Sequence, residues 1–201
     1  MSHRNGWLEL VEADPAHSQR YIDRFASMAE AGADLAGEAR LIDAMLPRGS
    51  RILDAGCGQG RVGGHLAAAG HDVLGVDLDP VLVAAARRHH PAARWLVGDL
   101  SELDLPAQGI DDGFDAIVSA GNVMTFVAVD TRREVLRRVR AHLRGAGRVV
   151  AGFGAGRGYD FDEFVADAAA AGLVADLMLA TWDLRPFTAG ADFLVTVLRP
   201  A

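Results

Sequence analysis

Residues 54 to 64, DAGCGQGRVGG, combine one acidic residue with five glycines at short spacings. One interpretation takes Gly56, Gly58 and Gly60 as the working glycines of a D-x-G-x-G-x-G loop. A second takes Gly58, Gly60 and Gly63 as the dinucleotide fingerprint G-x-G-x-x-G. In both, a strand ends, the chain turns on glycines that tolerate positive φ, and a helix begins whose free N–H groups attract an anion. The segment therefore predicts a nucleotide-like ligand and leaves its identity open.

Acidic residues around this loop favour the first interpretation. Asp54 ends the first predicted strand, where a carboxylate suits a ligand with an ammonium group and is poorly placed beside a pyrophosphate. Asp77 ends the second strand, where a carboxylate accepts hydrogen bonds from both ribose hydroxyls of an adenosine. Asp99 ends the third strand. Arg61 opposes the dipole of the following helix, and a carboxylate of the cofactor or substrate would offset that cost.

The elements that position these residues follow from the periodicity of the chain. From about residue 48 onward, short β-branched segments alternate with helical patterns, which predicts a doubly wound α/β sheet. Because only the turn TAG separates the last two strands, they must be antiparallel. The predicted strands cover residues 50–56, 71–79, 93–100, 114–122, 147–154, 173–187 and 191–200, and the helices between them cover 60–70, 80–90, 131–143 and 162–172.

Length and composition limit the class of protein. A chain of 201 residues suits a single domain, which we divide into a helical N-terminal segment over 1–47, expected to act as a lid, and a Rossmann-like core over 48–201. The formal net charge of −7 disfavours nucleic acid and membrane partners. One cysteine, Cys57, and the absence of a long apolar segment predict a cytoplasmic protein.

Four segments carry a family resemblance. ILDAGCGQGR, VLGVDLDP, WLVGDL and FDAIVSAGNVM, in this order between residues 50 and 154, resemble the class I S-adenosylmethionine-dependent methyltransferases. The resemblance implies a seven-stranded, mainly parallel sheet of order 3-2-1-4-5-7-6 with an antiparallel last strand. It also implies S-adenosylmethionine as the cofactor and methyl transfer as the activity.

The resemblance also implies a role for each cofactor residue. The methionine part would lie over Gly56 to Gly60, the ribose on Asp77, and the adenine between Leu78 and Leu100 with its amino group on Asp99. Residues 120 to 122, after the fourth strand, match a position that lines the methyl-transfer centre. The predicted cofactor-binding residues are Asp54, Gly56, Gly58, Gly60, Arg61, Asp77, Leu78, Asp99, Leu100, Ala120 and Asn122.

The residues that would bind the substrate are less clearly indicated by the sequence than those that would bind the cofactor. Tyr21 and Arg24 in the N-terminal segment, and Arg157 and Tyr159 after the fifth strand, are the substrate candidates, whereas Trp182 is a weaker one. We find no convincing general base, assign no catalytic residue and no metal site, and expect the histidines to lie mainly on solvated surface. The arginine-rich helix RREVLRRVRAHLR is expected to expose its arginines to solvent rather than to bind nucleic acid.

Three functions remain open from the sequence. The leading hypothesis is a methyltransferase acting on a small molecule. A dinucleotide-dependent oxidoreductase that uses NAD is the alternative from another enzyme class, and a non-catalytic S-adenosylmethionine-binding protein is the third. The sequence indicates neither the methylated atom nor the oligomeric state.

Overall fold

The alternating segments form one mixed sheet in the computed structural model, which describes residues 4–201. Strand order is β3-β2-β1-β4-β5-β7-β6, with β7 antiparallel to both of its neighbours and the other pairs parallel. This confirms the predicted fold class and strand order. The strands are β1 (Arg51–Ala55), β2 (Asp72–Asp77), β3 (Arg94–Val97), β4 (Phe114–Ser119), β5 (Leu143–Gly154), β6 (Leu173–Leu179) and β7 (Phe193–Pro200).

Both faces of the sheet are covered, because the central strands are apolar on both sides. Leu53 and Ile117 pack in one buried layer, and Ile52 and Val118 pack in the layer on the other face. The helices are α1 (Gly6–Ala13), α2 (His17–Glu30), α3 (Gly37–Ala44), α4 (Arg61–Ala68), α5 (Pro80–His89), α6 (Val123–Phe126), α7 (Arg132–Ala141) and α8 (Phe161–Ala170). None of the helices described over residues 4–201 is long and apolar enough to cross a bilayer.

The N-terminal helices are attached to the core through one buried carboxylate. Asp79 caps α5 by accepting from Val81 N at 2.8 Å, and its other oxygen accepts from Trp7 Nε1 at 2.8 Å and from the Ser18 hydroxyl. Trp7 of α1 and Ile22 of α2 also pack in an apolar cluster with α5. Helices α1 and α2 are therefore held beside the end of β2, where the predicted ribose site lies.

Two predicted element boundaries are wrong at the C-terminal end. β6 stops at Leu179 instead of extending to residue 187, and residues 180–192 form a longer connection to β7. This connection turns at Leu184, which has a φ of 72°, and makes only one isolated bridge, between Leu179 and Pro186.

One arginine of α7 is not placed as predicted, whereas Arg133, Arg137 and Arg140 are exposed as expected. Arg132 is buried rather than exposed: its guanidinium lies 3.9 Å from the centre of the Tyr159 ring and donates to Gly158 O at 2.5 Å. Arg133 pairs with Asp167, and Arg138 donates to Leu103 O. Most of this basic helix therefore ties neighbouring segments to the core.

Replacing Asp79 with alanine should loosen the N-terminal helices. The variant loses an N-cap and leaves Trp7 Nε1 and the Ser18 hydroxyl without their acceptor, so we expect the free energy of unfolding in urea to fall by about 3 kcal/mol. Limited proteolysis should show faster cleavage before residue 47. Asp176→Ala, which removes an exposed ion pair on β6, is the matched control. A loss below about 1 kcal/mol with unchanged proteolysis would show that Asp79 does not anchor these helices.

Candidate functional site

The glycine loop connects β1 to α4 by a turn that only glycine adopts without strain. Gly56, Gly58 and Gly60 have φ values of 83°, 53° and 83°, all in the left-handed region. Gly56 N and Cys57 N both donate to Val76 O, at 2.8 and 3.1 Å, so the loop is tied to β2. These are the three glycines of the D-x-G-x-G-x-G interpretation.

Gly63 and Gly64 serve packing instead of ligand binding. A Cβ on Gly63 would lie 2.9 Å from Asp54 Oδ2 and 2.9 Å from the Trp95 ring, and a Cβ on Gly64 would clash with the His90 ring. Both glycines therefore let α4 approach β1 and the end of α5. The third glycine of a dinucleotide fingerprint has the same packing role, so Gly63 by itself does not separate the two interpretations of the loop.

Gly60 is turned toward the core, and its contact with the cofactor stays a prediction. A Cβ there would point at Trp95 and Ala86, about 3 Å away, and Gly60 N already donates to Cys57 O at 2.9 Å. Gly60 acts as the left-handed N-cap of α4 and does not line the cavity. Gly58 does face the cavity, below the ring of Tyr21.

Asp54 is also placed differently from the prediction. Its side chain is buried, and Oδ2 accepts from Gly63 N at 2.8 Å, so the carboxylate holds the first turn of α4. It does not line the main cavity and reaches only a side cavity of about 20 Å³, between Tyr21 and the glycine loop. Burial raises the pKa of Asp54 to about 7.

Asp77 lies in the cavity wall as predicted. Oδ2 accepts from Gly58 N at 2.8 Å and Oδ1 accepts from Asp79 N at 2.9 Å, and burial raises the pKa of this carboxyl. Each carboxylate oxygen has a further lone pair, so both can still accept a hydroxyl. Asp77 is thus held in place at the carboxyl end of β2, and its carboxylate can still accept hydrogen bonds from two neighbouring hydroxyl groups.

The remaining cofactor candidates surround the same cavity. Leu78, Asp99 and Leu100 line one end of it, and Asp99 also accepts from Ser101 N at 2.8 Å. Ala120 and Asn122 line it after β4. Asn122 has a φ of 68°, and its Oδ1 accepts from Gly154 N at 2.8 Å, which fixes the loops after β4 and β5 against each other.

The cavity has a volume of about 790 Å³, at the upper end of the range for small-molecule sites. Its outer wall comes from segments beyond the family motifs: Trp7 and His17 at the N-terminus, Phe25 on α2, and Trp182 and Phe193 near β7. The sequence predicts a strand at residue 182, which makes Trp182 a weak candidate for substrate binding. The connection after β6 instead brings its ring over Gly152, where a Cβ would clash.

Arg61 lines the cavity, but its charge is already paired. Its guanidinium donates to both carboxylate oxygens of Glu38, at 2.8 and 2.5 Å, and to Leu35 O at 2.6 Å, and it lies 5.4 Å from the Phe25 ring centre. Burial raises and these bonds lower the pKa of Glu38, with a net shift downward. The protein's own Glu38 therefore already offsets the cost that a ligand carboxylate was expected to offset, and contact of Arg61 with a ligand stays a prediction.

The four substrate candidates separate into two groups. Tyr21, Arg24 and Arg157 line the cavity. Tyr159 does not, and this prediction is wrong: the ring is buried against Phe153, and its hydroxyl donates to Asp167 at 2.8 Å. Burial beneath α7 and α8 could not be recognised from a tyrosine in a glycine-rich loop.

The cysteine and the histidines near the cavity show no arrangement suited to catalysis. Burial raises the pKa of the Cys57 thiol well above its usual value, which makes a nucleophilic role unfavourable. His17 lines the cavity edge-on to Trp7, whereas His71, expected at the surface, is buried and pairs with Asp43. Residues 4–201 contain no group of three His, Cys, Asp or Glu side chains arranged to hold a metal ion.

Comparisons with known proteins identify the family. A crystal structure of a TehB-like SAM-dependent methyltransferase from Corynebacterium glutamicum is 52% identical to this chain, with a TM-score of 0.89, over 94% of this chain and 100% of the other. The chain belongs to the class I S-adenosylmethionine-dependent methyltransferases. Residues 52–147 also match the family model described as a methyltransferase domain. The protein is therefore an enzyme of this family with S-adenosylmethionine as its cofactor.

Curated relatives agree over the same region. An uncharacterized methyltransferase of Mycobacterium tuberculosis is 41% identical over 100 residues, which are 48% of this chain and 48% of the relative. A malonyl-[acyl-carrier protein] O-methyltransferase of Pectobacterium atrosepticum is 36% identical over 91 residues, 44% of this chain and 34% of the relative. The chain thus spans at most about half the length of these curated relatives. The cofactor assignment removes the oxidoreductase alternative, and the methyltransferase relatives favour an enzyme over a non-catalytic binding protein.

The raised pKa of Asp54 predicts pH-dependent cofactor binding. Below pH 7 this carboxyl is protonated in the free protein, and a cofactor with ammonium and sulfonium charges favours its ionised form. Affinity should therefore rise with pH, by at most tenfold per unit, up to about pH 7 and level off above it. Calorimetric titration with S-adenosylmethionine between pH 5.5 and 8.5 measures this dependence.

Asp54→Asn should flatten that pH profile, because the amide cannot ionise and its oxygen can still accept from Gly63 N. Asp176→Asn, at an exposed ion pair on β6, should keep the native profile. If Asp54→Asn retains the full pH dependence, another group titrates on binding and the role of Asp54 is wrong.

Proposed function

We propose that this methyltransferase acts on a small molecule, bound between the cofactor edge of the sheet and the N-terminal helices. The observation that carries the proposal is the cavity itself. Much of its outer wall is built from the aromatic side chains of α1 and α2, which Asp79 holds against the core through Trp7 and Ser18. A site roofed by the chain's own helices suits an acceptor that enters the cavity whole.

The lining residues fit the cofactor. Asp77 is proposed to accept the ribose hydroxyls, Leu78 and Leu100 to contact the adenine with Asp99 near its amino group, and Gly56 and Gly58 to leave room for the methionine part. Both glycines line the cavity. A Cβ on Gly56 would strike Val123, so this glycine lets the loop approach the segment after β4, whereas a Cβ on Gly58 would meet the Tyr21 ring at an ordinary contact distance of 3.8 Å. When bound, S-adenosylmethionine supplies an already activated methyl group on its sulfonium.

The chain's own part in the reaction is positioning and exclusion of water. Aromatic rings of Trp7, Tyr21 and Phe126 pack edge to face over the cofactor end of the cavity, and Trp182 and Phe193 close its other side. An enclosed apolar wall holds an acceptor in line and keeps water from competing with it. We propose that residues 1–47 act as a lid over a single domain and that rearrangement of this segment admits both ligands.

The charge of the chain supports a small acceptor over a nucleic acid. The net charge of −7 opposes binding to a phosphate backbone. The arginines of α7, which form the most basic segment, are largely engaged with Asp167, Glu134 and backbone carbonyls.

A labelling experiment tests the substrate class. The enzyme is incubated with methyl-labelled S-adenosylmethionine and a bacterial cell extract that is then divided into small-molecule, protein and nucleic-acid fractions. We expect the label in the small-molecule fraction. Enzyme-dependent label confined to protein or nucleic acid would overturn the proposal.

Two variants control this experiment. Asp77→Ala should weaken S-adenosylhomocysteine binding at least tenfold in calorimetry and reduce labelling at limiting cofactor. Asp72→Ala, at the opposite end of the same strand and exposed, should change neither. Unchanged affinity in Asp77→Ala would contradict the ribose role of this carboxylate.

A further inference from the structure

Four arginines line the cavity, and they differ in whether a carboxylate neutralises them. Arg20 pairs with Asp14, and Arg61 pairs with Glu38. Arg24 and Arg157 make no salt bridge with any residue of the described chain, 4–201. Both side chains are exposed in the cavity wall and keep all their guanidinium donors free.

Arg24 is held by aromatic rings instead of by an acid. Its guanidinium carbon lies 5.4 Å from the centre of the Tyr21 ring and 5.0 Å from that of Phe25. Tyr21 in turn lies over Gly58 of the glycine loop. Stacking on rings orients a guanidinium without using its N–H groups, so Arg24 remains available to an anion near the cofactor site.

Arg157 lies in a loop that is anchored immediately after it. Gly158 O accepts from Arg132 at 2.5 Å, and the Tyr159 hydroxyl donates to Asp167 at 2.8 Å. Arg157 Nε lies 3.2 Å from the point where a Cβ of Gly154 would be, and Asn122 Oδ1 lies 3.7 Å from the same point. Arg157 is therefore beside Asn122, after β4, on the acceptor side of the cavity.

The acids on this side of the cavity do not cancel the two arginines. Asp34 pairs with Arg40, and Glu38 is bound by Arg61. The outer part of the cavity thus has an excess of positive charge within a chain whose net charge is −7. Between the two arginines and the sheet the wall is apolar, formed in part by Phe25, Trp182 and Phe193.

We propose that the methyl acceptor is a small organic acid, whose carboxylate is bound by Arg157, with Arg24 adding positive charge to the same cavity, and whose apolar or aromatic body packs against Trp182 and Phe193. A guanidinium offers two parallel donors that match the two oxygens of a carboxylate. This inference rests on the proposed function, because it requires the cavity to hold the acceptor. It also gives Tyr159 a role, since Tyr159 and Arg132 position the loop that carries Arg157.

Paired acids and amides test the inference by binding rather than by activity. Protein saturated with S-adenosylhomocysteine is titrated calorimetrically with benzoate, 3-phenylpropionate, indole-3-acetate and octanoate, and with the neutral amide of each. We expect at least one acid to bind with a Kd at least tenfold lower than that of its amide. Arg157→Gln should reduce that preference at least tenfold while leaving S-adenosylhomocysteine affinity within about twofold, and Arg24→Gln should reduce the preference to a smaller extent.

Arg148→Gln is the matched control, because Arg148 is exposed in the middle of β5, outside the cavity lining, and should keep the native preference. Equal binding of acids and amides, binding of no acid, or an unchanged preference in Arg157→Gln would overturn the inference while the cofactor site stands. Failure of the native protein to bind S-adenosylhomocysteine would overturn the proposed function as well.

Discussion

The turn between β1 and α4 is the constraint on which the rest of the site depends. Three left-handed glycines at alternate positions reverse the chain, and the buried carboxylate of Asp54 holds the first turn of α4 through Gly63 N. The same turn directs Gly58 N at Asp77, which fixes the carboxylate that faces the cavity. Because α4 starts here, Arg61 also reaches Glu38 of α3, so one turn organises both the cofactor edge and the attachment of the N-terminal segment.

Charge divides the cavity into two regions with different chemistry. At the sheet edge, Asp77 and Asp99 face inward with backbone N–H groups bonded to them, an arrangement suited to the hydroxyl and amino groups of an adenosine. Toward the N-terminal helices the acids are paired, and two arginines are not. Aromatic rings from α1, α2 and the connection before β7 separate these regions from solvent. The arrangement allows a cationic cofactor and an anionic acceptor to be bound side by side by opposite charges.

Most of the fold and part of the site could be predicted from the sequence, because they depend on local sequence patterns. Strand order and the assignment of Gly56 and Gly58 depend on local patterns, namely apolar periodicity and glycines that need positive φ. Tyr159 and Arg132 were misplaced because their surroundings are set by other segments of the chain: Asp167 captures the Tyr159 hydroxyl, and Arg132 donates to Gly158 O. The place of Trp182 in the cavity wall could not be predicted for a related reason, because it depends on where β6 ends.

A crystal structure with S-adenosylhomocysteine bound tests the central claim most directly. The account predicts both ribose hydroxyls within hydrogen-bonding distance of the Asp77 carboxylate, the adenine between Leu78 and Leu100, and the amino acid part above Gly56 and Gly58. A ligand whose ribose lies away from Asp77, or whose amino acid part occupies the outer cavity beside Arg24 and Arg157, would contradict it.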